Sequence, residues 1–137
     1  MYKDIKTFTS NATLSLLKEE DNLYITKVSN SIIQFNMDLE ESKICFWIGK
    51  RDASIDKDVL EHATNKMLSI SLHTNVELVF DNQEISYSLR LRMKDYLGDT
   101  DAFSNAIEDL LWAHSLVNSS SDSRADNKYH NFIKYMV

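Results

Sequence analysis

An α+β fold, with helices packed on one antiparallel twisted sheet, is what this sequence predicts, and three observations predict it. Apolar and polar residues alternate through short stretches between Leu23 and Met93, the period of half-buried strands. Two longer stretches repeat apolar residues every three or four positions, the period of amphipathic helices. The order of these patterns reads helix, three strands, helix, two strands, helix.

Ile5, Phe8, Ala12 and Leu16 recur at helical spacing, so a first helix is expected over residues 3–18. Thr7, Thr9, Ser10, Asn11 and Thr13 are poor helix formers, so its stability must come from packing. The run Glu19-Glu20-Asp21-Asn22 reads as a polar turn. A strand begins at Leu23. In the next, Ile33, Phe35, Met37 and Leu39 alternate with Gln34, Asn36 and Asp38. After a turn at Glu40-Glu41-Ser42, Ile44, Phe46 and Ile48 alternate with Cys45 and Trp47. Both faces of that third strand are apolar, which places it inside the sheet or at an interface.

Ser54 or Asp56 is suited to cap the second helix, expected over residues 56–72. Val76, Leu78 and Phe80 form a fourth strand, and Asp81-Asn82 a hairpin turn. The fifth strand carries Ile85, Tyr87, Leu89, Leu91 and Met93 on one face. Its other face holds Glu84, Ser86, Ser88, Arg90, Arg92 and Lys94. Gly98-Asp99-Thr100 offers a turn and an N-cap. Phe103, Ala106, Ile107, Leu110, His114 and Val117 then mark the last helix. Residues 1–118 are expected to form one domain. Residues 119–137 read as a flexible Ser/Asp-rich linker and a short apolar C-terminal tail.

A chain of 137 residues, 43% of them apolar, can bury a core without disulfides or metals. Its formal net charge of −6 argues against non-specific nucleic-acid binding. The single cysteine, Cys45, rules out an intramolecular disulfide and fits a reducing compartment. The N-terminal residues lack the apolar run of a signal peptide, and no stretch is long and apolar enough to span a membrane. A cytoplasmic location is the expectation.

Chemistry is sparsely represented. Two isolated glycines, Gly49 and Gly98, cannot build a Gly-rich phosphate loop. Among His62, His73, His114 and His130 no pair has the helical spacing of a metal site, and Cys45 has no cysteine partner. Glu61 and His62 share a helix but project in different directions. The acidic clusters fall at expected turns and caps. Arg90, Arg92 and Lys94 form the one basic stripe. It is either a contact for an acidic or extended partner or a solvated strand face. Tyr24 and Trp47 are either an exposed aromatic patch or a second core layer under a helix. No catalytic site, metal or cofactor is expected, and a small acidic domain of this kind points toward binding another protein.

The element order, the hairpin Val76-Glu-Leu-Val-Phe-Asp-Asn-Gln-Glu-Ile-Ser-Tyr-Ser-Leu-Arg-Leu-Arg-Met and the helix after it resemble the class I effector chaperones of bacterial type III secretion systems. The opening Met1-Tyr2 and the Leu16-Leu17 pair closing a short first helix are also similar to that family. The resemblance covers residues 2 to 118. It implies a cytoplasmic bacterial homodimer without enzymatic activity, cofactor or nucleic-acid partner. Such a chaperone holds the N-terminal segment of a secreted effector soluble and partly unfolded and delivers it to the secretion apparatus, whose ATPase is a further partner. The family's dimer helix maps onto Val59, Leu60, Ala63, Met67 and Ile70. Its effector-binding patches map onto Ile5, Phe8, Ala12, Tyr24, Ile32, Cys45 and Trp47, with Arg90 and Arg92 on the basic stripe.

Two other classes fit the composition. An immunity protein would neutralise a folded basic toxin through its acidic surface, and that binding would collapse in salt. A small enzyme or ligand-binding domain would need a concave pocket with perturbed titratable groups.

Overall fold

The last helix organises the fold. In the computed structural model, which describes residues 1–14, 16–48, 53–70, 74–81 and 86–118, it lies across the middle of a six-stranded antiparallel sheet. The elements run α1 (Tyr2–Asn11), β1 (Leu16–Glu20), β2 (Leu23–Val28), β3 (Ser31–Asn36), β4 (Glu41–Ile48), α2 (Ala53–Ile70), β5 (Glu77–Asp81), β6 (Ser86–Arg92), a short 3-10 turn and α3 (Thr100–Asn118). The sheet order is β1-β2-β3-β4-β6-β5. The α2 crossover therefore returns the chain so that β6 pairs with β4 and leaves β5 at the edge. As its two apolar faces predict, β4 is internal.

Helix α3 packs on β4 and β6, and both α1 and α2 pack against it. It points Phe103, Ala106, Ile107, Leu110, Ala113 and Val117 at the sheet, all essentially buried. They meet Ile33, Phe35, Ile44, Phe46, Leu89 and Leu91, the residues that alternate onto one face of the strands. Phe103 sits at the centre, its ring 5.9 Å from that of Phe8 and 6.1 Å from that of Phe35. The cap expected before α3 is present: Asp99 Oδ1 accepts from the amides of Asp101 and Ala102 at 3.0 and 3.1 Å. The amide of Gly98, at φ +82°, donates to Asp4 Oδ1 at 2.8 Å and ties the start of α3 to α1.

The N-terminal segment departs from expectation. Helix α1 ends at Asn11, and Leu16, which completes its helical spacing, belongs to β1 and pairs with Thr26 of β2. Thr13, at φ +56°, turns the chain between them. The poor helix formers before it gain little from another helical turn, whereas the strand gains a ladder of backbone hydrogen bonds. Helix α2 begins at Ala53, so Ser54 and Asp56 lie inside it and neither is its cap. Asn82, Ile85, His73, His130 and the 119–137 segment lie outside the described residues.

Two substitutions test this account. Phe103→Ala leaves a cavity between helices and sheet and should cost about 3–5 kcal/mol in chemical denaturation. Thr13→Gly removes a β-branched side chain from the left-handed region and should stabilise the fold by about 1 kcal/mol, read as a higher denaturation midpoint at unchanged slope.

Candidate functional site

Among the described residues, polar side chains gather at the end of α3 and on the face of the sheet turned away from the helices, and apolar ones are exposed on the outer side of α2.

At the end of α3, His114 is 7% exposed. Its Nδ1 lies 2.8 Å from Ser31 Oγ at the start of β3, and its Nε2 lies 3.1 Å from Asn118 Nδ2. The Asn118 amide can turn either its NH2 or its oxygen, which is buried without a partner among the described residues, toward Nε2, so one ring nitrogen donates and the other accepts in either tautomer. One turn away, His62 Nε2 of α2 donates to the Val117 carbonyl at 3.0 Å. The two histidines thus fasten the last turn of α3 to the β2–β3 hairpin and to α2.

Serine, histidine and asparagine in a row look like a nucleophile relay, but the surroundings oppose one. Burial pushes the His114 pKa down to about 4, leaving it a poor base at neutral pH. The negative end of the α3 dipole lies beside Ser31 and would oppose an oxyanion there. The cluster is a structural clamp.

The face of the sheet turned away from the helices carries Ile25, Ile32, Gln34, Lys43, Cys45, Arg90 and Arg92, none fully buried, whereas Ser86 and Ser88 on the same face are buried. Its charged end is an ion-pair lattice. Arg90 Nη2 meets Glu77 Oε2 at 2.8 Å, Arg92 Nε meets Glu77 Oε1 at 3.2 Å, and Arg90 Nη1 lies 3.8 Å from Glu41. The hydrogen bond from Arg90 holds the Glu77 carboxyl below its usual range, against a smaller opposing effect of burial. The basic stripe is therefore matched by acids on β4 and β5. Two shallow depressions flank this lattice and the β1–β2 turn. The first, of about 560 Å³, includes Glu77, Arg92 and Tyr96; the second, of about 400 Å³, includes Glu20, Asp21 and Asp38. Among the described residues, no group of three His, Cys, Asp or Glu side chains could hold a metal.

The expected binding residues divide. Ile5, Phe8 and Tyr24 are in the chain's own core, and Tyr24 is covered by Tyr2 of α1 at 5.6 Å between ring centroids. Of the two readings of Tyr24, the layer under a helix is the one present. Ala12 is exposed at the end of α1, and Ile32 and Cys45 are part-exposed on the sheet face turned away from the helices. Trp47 is described by its backbone alone, opposite Tyr87 in the β4–β6 register after a bulge.

On α2 the division decides more. Val59, Ala63, Met67 and Ile70 are 8% exposed or less and line the core, whereas Leu60 is 41% and Leu68 67% exposed. At 100° per residue, His62 and Lys66 lie on one flank of α2, and His62 bonds to α3. Leu60, Thr64 and Leu68 form a stripe on the opposite flank, away from α3. Leu68, four residues beyond Thr64 on that stripe, is an exposed apolar side chain that the apolar spacing from Val59 to Ile70 did not bring out.

No protein-family model, curated protein or solved structure matches the chain. No helix among the described residues is long and apolar enough to cross a membrane.

The His114 clamp has a measurable consequence. Its folded pKa, about 4, lies below the ordinary 6.5, so the unfolded chain binds the extra proton between those values. Its contribution is present above pH 6.5 and is lost as pH falls toward 4, about 3 kcal/mol in all. Urea denaturation at pH 7 and pH 4.5 should show a steeper acid loss for the wild type than for His114→Gln. Equal losses would exclude the clamp as the source.

Proposed function

We propose that the chain is an effector chaperone of the class I type III secretion kind. It acts in the bacterial cytoplasm as a homodimer that holds the N-terminal segment of a secreted protein in an extended, export-ready form. The observation that carries this reading is the α2 flank. Leu60 and Leu68 are large apolar side chains left outside a core that uses the helix's other apolar positions. A second copy meeting this flank across a two-fold axis would bury the stripe against itself. The dimer residues are then Leu60 and Leu68, because Val59, Ala63, Met67 and Ile70 are committed to the protomer's own core.

The order of elements also supports the reading, with α1 and α3 on one face of a sheet whose other face, among the described residues, carries no helix. An extended segment lying on that other face would meet Ile32 and Cys45, with Arg90 and Arg92 at its rim. Ile5, Phe8 and Tyr24 would act indirectly, by holding α1 against the sheet. Binding of this sort orders a flexible segment against apolar surface and tolerates salt, unlike a toxin held by charge.

Light scattering should give about twice the 15.9 kDa chain mass, and Leu60→Asp/Leu68→Asp should give the single mass with the fold intact. A protein secreted by the same cell should co-purify through its N-terminal segment and stay bound in high salt. A chain that remains monomeric at about 100 µM, a concentration at which even weak association shows, both with Phe132 and Ile133 intact and with both replaced by aspartate, would sink the reading.

A further inference from the structure

The 129–137 segment reads Tyr-His-Asn-Phe-Ile-Lys-Tyr-Met-Val, strongly apolar, and follows a polar run that begins where α3 ends. We propose that this segment docks in cis on the α2 flank formed by Leu60 and Leu68, and so competes with a second copy for the same surface. The inference rests on the dimer reading above and adds its regulation.

The first ground is reach. Helix α3 ends at Asn118, one residue after the carbonyl that His62 of α2 holds at 3.0 Å. The ten residues 119–128 can span up to about 33 Å, and a helix with its side chains is about 10 Å across. The chain can therefore pass around α2 from the flank that touches α3 to the flank that carries the leucines.

The second ground is charge. Glu61 is exposed beside the leucine stripe, and Lys134 lies in the middle of the segment with Lys128 just before it. The segment itself carries one lysine and no acidic side chain. A second copy, meeting the flank by two-fold symmetry, would instead bring its own Glu61 to the seam. The third ground is concentration. A tethered segment is present at an effective concentration of about a millimolar, well above any cellular concentration of a second chain. At equal intrinsic affinity the tail holds the flank, and dimerisation requires its release from both protomers. If one chain in ten is open, the apparent dimer dissociation constant rises by about a hundredfold, the inverse square of the open fraction.

The test is sedimentation over a range of concentrations, comparing the full wild-type chain with full-length Phe132→Asp/Ile133→Asp. The tail variant is expected to dimerise about a hundredfold more tightly. At low concentration, the methyl resonances of Leu60 and Leu68 should shift between the two proteins. Equal dissociation constants with unshifted methyls would overturn the proposal and leave the dimer reading standing. A variant that dimerises more weakly would overturn it in favour of tails exchanged between protomers. Two proteins that both stay monomeric would overturn the proposal and the dimer reading together.

Discussion

Phe103 occupies the place where helices and sheet meet, and the rest of the arrangement depends on its burial. It touches Phe8 of α1 and Phe35 of β3, so one side chain joins the N-terminal helix, the C-terminal helix and the strand meander. Each large apolar side chain that α3 removes from water is worth about 1.5–3 kcal/mol. No other element contributes as many such side chains to the central strands. The position of α3 then dictates the others. Helix α1 meets its start, where Phe8 touches Phe103, and α2 meets its end, where His62 bonds to the Val117 carbonyl.

Polar contacts set the ends of α3 rather than its affinity for the sheet. Asp99 satisfies the first amides, and the Gly98 amide ties that end to Asp4 of α1. At the other end the two histidines bind the last turn to α2 and to the β2–β3 hairpin. A neutral imidazole suits this place because one ring nitrogen donates and the other accepts, and the two meet Ser31 and Asn118. Its proton affinity is low for the same reason that its contacts are good: the site excludes water. A buried histidine bonded on both nitrogens is thus accounted for without catalysis.

Much of this was legible in the sequence where the period was clean. The alternation from Tyr87 to Met93, the apolar repeat from Phe103 to Val117 and the internal position of β4 all follow from side-chain spacing. The β1 strand does not. Leu16 sits at helical spacing from Ile5, Phe8 and Ala12, and Leu-Leu-Lys-Glu-Glu has no alternation to mark a strand. Only the partner offered by β2 decides its state, and that is a tertiary fact. Tyr24 failed to declare itself for a related reason. Alternation shows that Tyr24 and Ile25 face opposite ways, but which way the helices lie depends on the whole fold. Periodicity likewise groups the α2 apolar residues without saying which of them the protomer keeps for itself.

That last distinction matters most for what the molecule can bind. A residue already removed from water in the single chain has almost no apolar area left to bury against a partner, so it adds little to association however apolar it is. Val59, Ala63, Met67 and Ile70 are in this position, as are Ile5, Phe8 and Tyr24. The surface that can respond to another chain, or to the chain's own C-terminal segment, is made of what the core leaves over. On α2 that is Leu60 and Leu68, and on the sheet it is Ile32 and Cys45 beside the Arg90–Glu77–Arg92 lattice. The lattice itself contributes orientation more than affinity, since each arginine must give up part of a paired carboxylate to meet a new one. Association through the α2 flank, as proposed, would be governed by apolar area and by whatever competes for it.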